Sequence, residues 1–95
     1  MPVIKWTVSA SNDLRSIDAW LSDRAGPDVA VRILTAIRFR ADFLRNFPHG
    51  GRPSPGGIRV LRVSETPHLI LYRLADDVVE ILRVRHERED WLVEP

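Results

Sequence analysis

The stretch HLILYRLADDVVEILRVRH, His68–His86, decides the fold. It holds two runs rich in branched and aromatic residues, separated only by Asp76-Asp77. Such runs favour strands, and a two-residue polar link between them predicts an antiparallel hairpin. That turn predicts a register. It pairs Arg73 with Glu80, Tyr72 with Ile81, Leu71 with Leu82, Ile70 with Arg83 and Leu69 with Val84. Opposite charges at Arg73 and Glu80 agree with the alignment. Side chains alternate between faces along a strand. One face therefore carries Leu69, Leu71, Leu82 and Val84, and is expected to receive the helices. The other carries Ile70, Tyr72, Leu74, Val79 and Ile81, bordered by His68, Arg83 and Arg85.

Upstream of the hairpin, Ile58–Val63 supplies a third strand next to it. The preceding HGGRPSPGG, His49 to Gly57, is too rich in Gly and Pro for helix or strand and is expected to be a mobile loop. It has no Lys-Ser/Thr ending and its prolines remove N–H donors, so it does not suit a phosphate. Further upstream, Ala10, Leu14, Ile17 and Leu21 recur at helical spacing, with Ser9 or Ser11 as cap. Gly26-Pro27 ends that helix and starts a second over about 28–46, striped by Ala30, Ile33, Ile37, Ala41 and Leu44. So short a link folds the two helices back on each other. Residues 3–8 alternate and form a first strand. The expected fold is α+β: an N-terminal strand, a helical hairpin and a three-stranded antiparallel meander, β-α-α-β-β-β, with the helices on one sheet face. One helical hairpin covers one face of a small sheet. The other face, with Ile70, Tyr72, Leu74, Val79 and Ile81, is expected to stay open for a partner.

Composition sets bounds on function. The 95 residues suffice for a single domain, 1–95, with one core. There is no cysteine, hence no disulfide and no thiolate metal site. The start lacks a charged segment followed by a long apolar stretch, and no run is long enough to span a membrane, so a cytoplasmic location is expected. A net charge of +1 is not that of a dedicated nucleic-acid binder, so direct nucleic-acid binding is not expected outside a complex. Lys5 is the only lysine; the remaining cations are arginines, whose planar fork suits carboxylates and phosphates.

His49, His68 and His86 are far apart in sequence and have no ligand-spaced carboxylate, so neither a metal nor a cofactor is expected. Ser64 and His68 lack the companions of a nucleophile and base. What remains is a basic strand end: Arg59, Arg83, Arg85, His86 and Arg88. RNA cleavage would need a base, an acid and a cation there; His86 and Glu87 could carry protons and an arginine could steady phosphate. Charges could equally serve to keep an edge strand from aggregating.

Trp6, Asp13-Leu14 with Ile17, FPHGGRP at Phe47–Pro53, GIRVLRV at Gly57–Val63, LILYRL at Leu69–Leu74, and VEILRVRH followed by Trp91 occur in an order that resembles the RelE/ParE toxin superfamily, its ParE branch in particular. The resemblance covers nearly the whole chain. It implies a toxin neutralised by a cognate antitoxin whose C-terminal segment folds on binding. ParE-like members are associated with poisoning DNA gyrase; RelE-like members cut mRNA on the ribosome. Catalytic RelE-branch members carry arginines at places that hold Leu69 and Glu87 here, and a tyrosine near the end that is missing here, with Trp91 nearby. The expectation is therefore a binding toxin directed at DNA gyrase, with Arg59, Arg83, Arg85, His86, Arg88 and Trp91 as target-binding surface and no catalytic residue. An antitoxin would take Ile70, Tyr72, Leu74, Val79 and Ile81. The alternatives are a ribosome-dependent endoribonuclease, or a non-toxic module that keeps antitoxin binding.

Overall fold

A computed structural model describes residues 1–88. The elements are β1 (Val3–Trp6), α1 (Val8–Ala25), α2 (Pro27–Phe43), β2 (Arg52–Ser54), β3 (Ile58–Arg62), β4 (His68–Ala75) and β5 (Val78–His86). The strands form one five-stranded sheet in the order β1-β5-β4-β3-β2. β1 runs parallel to β5, and the other neighbours are antiparallel. This is the expected α+β arrangement with one strand added.

Thr7 joins sheet to helix. Its hydroxyl donates to the Ile81 carbonyl at 2.8 Å and accepts from the Ala10 N–H at 3.2 Å. Thr7, rather than Ser9 or Ser11, is thus the cap of α1, because β1 ends at Trp6 and leaves a single residue for the turn. At the far end Gly26 adopts φ +94°, its N–H donates to the Leu21 carbonyl, and Pro27 opens α2.

The His49–Gly57 segment is not simply a loop. Arg52–Ser54 pairs with Ile58–Val60 as an edge strand, and a 3-10 turn at Pro55–Gly57 joins the two. An edge tolerates Pro53, whose missing N–H costs nothing on the side that faces no strand. Gly51 is fixed by Tyr72: its N–H donates to the phenol oxygen at 2.8 Å, and the phenol donates to the Pro48 carbonyl at 2.9 Å.

The two sheet faces are the reverse of the expectation. Ile70, Tyr72, Val79 and Ile81 are fully buried with Leu61, Val63 and Val84 beneath helix residues Ala10, Leu14, Leu34, Ile37, Ala41 and Leu44; Leu74 is partly buried against the same cluster. These side chains are core and are not open to a partner. The physical reason is size: they are the larger apolar set and continue into β3. The opposite face carries a smaller cluster of Val60, Leu69 and Leu71 with Ile58, and it has no helical member.

The register also departs from a regular ladder. It runs as expected through Tyr72↔Ile81 and then slips, so that Leu71 faces Arg83, Ile70 faces Val84, Leu69 faces Arg85 and His68 faces His86. Leu82 is the extra residue of this bulge. The slip puts Val84 into the core and sends Arg83 and Arg85 to the face without helices. Among the described residues no helix is long and apolar enough to cross a membrane.

Candidate functional site

The bulge creates an arginine face. Paired residues share a face, so Arg62, Leu69 and Arg85 form one cross-strand row, and Val60, Leu71 and Arg83 the next. Arg73 and Glu80 lie on the same side, next to Lys5 of β1. Arg73 donates to Glu80 at 2.7 Å, which holds the Glu80 carboxyl below its usual range. Arg62 pairs with Glu87 at 3.3 Å, with its own side chain 67% exposed. Such an exposed pair contributes about 0–1 kcal/mol and yields readily to a better partner.

Arg83 is held differently. Its Nε and Nη2 donate to the two carboxylate oxygens of Asp13, at 2.8 and 2.9 Å. The backbone N–H of Val84 donates to the same carboxylate at 2.9 Å. β1 pairs with β5 only as far as Trp6↔Ile81, so beyond that point α1 takes the place of a strand and Asp13 satisfies the exposed edge. On the face without helices a cleft of about 300 Å³ is lined by Ile58, Arg73, Leu82 and Arg83, among others.

A second feature lies on the helical side, where α1, α2 and the ends of β4 and β5 diverge. They enclose an apolar groove of about 570 Å³, lined chiefly by Ile17, Trp20, Leu21, Ile33, Val84 and His86. Trp20 is 57% exposed, with the Arg24 guanidinium 4.8 Å from its ring centre. The His68 and His86 rings meet edge to face at 5.9 Å in the groove's wall. The strand pairing thus joins two of the three histidines that are distant in sequence.

The residues expected to form one target surface are divided. Arg83 and Arg85 share the face without helices, whose apolar residues Val60, Leu69 and Leu71 are themselves buried. Arg59 pairs with Tyr72 on the helical side, where its Nη1 donates to the Gly51 carbonyl at 2.8 Å. His86 lines the groove, and its Nδ1 accepts from the Arg88 N–H at 3.1 Å. Trp91 lies outside the described residues. Arg62, Arg73 and Asp13 were missed. Arg62 and Arg73 had a signal in the period-2 pattern, since each alternates with core residues, whereas Asp13 stood out only as part of the family resemblance, and its bond to Arg83 needed three-dimensional placement.

Residues 4–91 match the family described as ParE toxin of type II toxin-antitoxin system, parDE. The chain is 34% identical to Toxin RelE2 of Caulobacter vibrioides over 86 residues, which is 90% of this chain and 96% of that relative. Among solved structures it resembles a chain of the chromosomal ParDE system of P. aeruginosa, with TM-score 0.85, 28% identity, and coverage of 90% and 96% of the two chains. It also resembles a chain of the RelBE2 toxin–antitoxin complex of Mycobacterium tuberculosis, with TM-score 0.67, 28% identity, and coverage of 90% and 99%.

Proposed function

Because the chain belongs to the ParE toxin family of type II toxin–antitoxin systems, we propose that it arrests growth by binding DNA gyrase and is silenced by a cognate antitoxin. The binding reading rests on one observation. Arg62, Arg83 and Arg85 occupy the face without helices, whereas His68 and His86 lie in the groove on the other side. RNA cleavage needs proton carriers and phosphate-steadying cations around one phosphate. Here the two histidines are on the opposite side of the sheet from these arginines, and Glu87, the other proton carrier, is tied up in an ion pair with Arg62. A face of arginines over a small apolar patch suits a protein or protein–DNA surface bearing carboxylates or phosphates.

The groove is the proposed seat of the antitoxin, in place of the buried Ile70–Ile81 set. Its apolar walls fit an amphipathic helical segment laid with residues i, i+3 and i+7 inward. Burial there contributes about 25 cal/mol per Å² of apolar area. The relatives from ParDE and RelBE2 come from toxin–antitoxin assemblies, and this chain is proposed to assemble likewise.

The second reading, a ribosome-dependent endoribonuclease, is favoured by the RelE name of the curated relative. Two parallel assays separate the readings. Purified protein is incubated with gyrase, plasmid and ATP, and with translating ribosomes. Blocked supercoiling or trapped cleaved DNA supports the proposal. Message cut at codons, with the activity lost in His86→Ala, supports the endoribonuclease. Activity in neither assay supports a module that only binds antitoxin.

A further inference from the structure

Arg83 and Val84 are neighbours on β5 that face opposite sides of the sheet, and both are bonded to the Asp13 carboxylate. The Asp13 and Arg83 side chains are only 15% and 22% exposed. A long arginine at an open strand edge would ordinarily sample many rotamers and lose that freedom on meeting a partner. The two-point fork fixes the plane of the guanidinium beforehand. It does so beside the cleft shared with Arg73, Ile58 and Leu82.

We propose that Asp13 is a positioning residue for target binding, holding Arg83 ready at the rim of this cleft to meet an anionic group of the target. The proposal rests on the arginine face being the target surface. Asp13 itself touches no target; it acts through Arg83. It must therefore be distinguished from a residue that merely seals the strand edge by accepting the Val84 N–H.

Asp13→Asn makes that distinction. The amide oxygen still accepts from Val84, but the charge and one acceptor for Arg83 are gone. The experiment is a double-mutant cycle of Asp13→Asn with Arg83→Gln, read as growth arrest on induction and, in parallel, as the concentration that halves gyrase supercoiling. Melting temperature is recorded for each protein. Potency, compared at a temperature where every variant is folded, is expected to fall roughly tenfold in Asp13→Asn, with a melting temperature lowered by several degrees because a largely buried ion pair is broken. The double variant is expected to be no weaker than Arg83→Gln alone, as for two residues acting through one contact. Potency of Asp13→Asn equal to wild type, or additive losses, would overturn the proposal. If Asp13→Asn does not fold, Asp13→Ser, whose hydroxyl can still accept from Val84 but carries no charge, replaces it in the cycle: wild-type potency or additive losses overturn the proposal, and a loss that is not additive with Arg83→Gln supports it. Growth arrest without gyrase inhibition would sink the gyrase target alone and leave the cycle to be read from growth. A wild-type chain inactive in both would sink the two together.

Discussion

Leu71 pairs with Arg83, not with the Leu82 that a regular ladder from the Asp76–Asp77 turn would set opposite it. This single extra residue decides which side chains of β5 become core and which become surface. It turns Val84 inward, where it is 3% exposed, and turns Arg83 and Arg85 outward. Without the bulge two arginines would point at the helices and be buried unpaired, at a cost of several kcal/mol each.

The register can be tested by truncation. In a regular ladder Leu82 and Val84 would share a face and cost similar amounts to shorten. With the bulge, Val84→Ala should cost about 1–3 kcal/mol and Leu82→Ala under about 1 kcal/mol. Urea denaturation of the two variants measures both. A larger loss at Leu82 would contradict the pairing.

Tyr72 reports on the core directly, because it is the chain's single tyrosine. Burial favours the neutral phenol and raises its pKa above 10.0, an effect partly opposed by the Gly51 N–H and by the nearby Arg59 charge. The sign follows from the raised value: the stabilisation is fully present below pH 10 and is lost as pH rises through the folded-state pKa. Difference absorbance of the phenolate should therefore show a midpoint above that of the urea-unfolded chain. Equal midpoints would mean the ring is not buried as described.

The same ring explains an intolerance at Gly51. A Cβ there would lie 2.7 Å from Tyr72 Cε1 and 3.0 Å from the Val60 carbonyl oxygen. Backbone on one side and a core ring on the other leave nothing to yield, so Gly51→Ala should destabilise by about 1–3 kcal/mol. Tyr72→Phe strands the Gly51 N–H and the Pro48 carbonyl and should cost about the same. Calorimetric melting of both variants checks this.

The order of elements was legible in the sequence because it rests on periodicity and punctuation. Ala10, Leu14 and Ile17 mark a helix, Gly26-Pro27 marks a break, and Asp76-Asp77 marks a turn whose first pairs, Arg73↔Glu80 and Tyr72↔Ile81, are as expected. The choice of buried face was not. It depends on comparing two apolar sets, and the helices take the larger, Ile70–Tyr72–Leu74 with Val79–Ile81. The bulge leaves no mark in the pattern, since LRVR alternates equally well in either phase. Arg83 and His86, three residues apart, face opposite sides in either phase, so placing them on one surface overlooked the alternation of the strand itself. The edge strand at Arg52–Ser54 was hidden by its proline, which an edge accepts and a central strand does not.

Trp20 offers a test of the groove. It is exposed and contributes little to the core, so Trp20→Ala should leave the melting temperature within a few degrees. Loss of a large aromatic anchor commonly costs about 2 kcal/mol or more of binding energy, or roughly thirtyfold in affinity. Titration of the variant with a cognate antitoxin, followed by calorimetry, measures the loss.

The two sides of the sheet are proposed to do separate work: arginines on the face without helices meet the target, and the groove beside the helices meets the antitoxin. The most direct measurement is growth arrest by Arg85→Gln and by Trp20→Ala, each induced with and without that antitoxin. Arg85→Gln is expected to lose arrest yet still bind antitoxin, and Trp20→Ala is expected to arrest growth but escape neutralisation. Loss of arrest in Trp20→Ala, with Arg85→Gln fully toxic, would contradict this division.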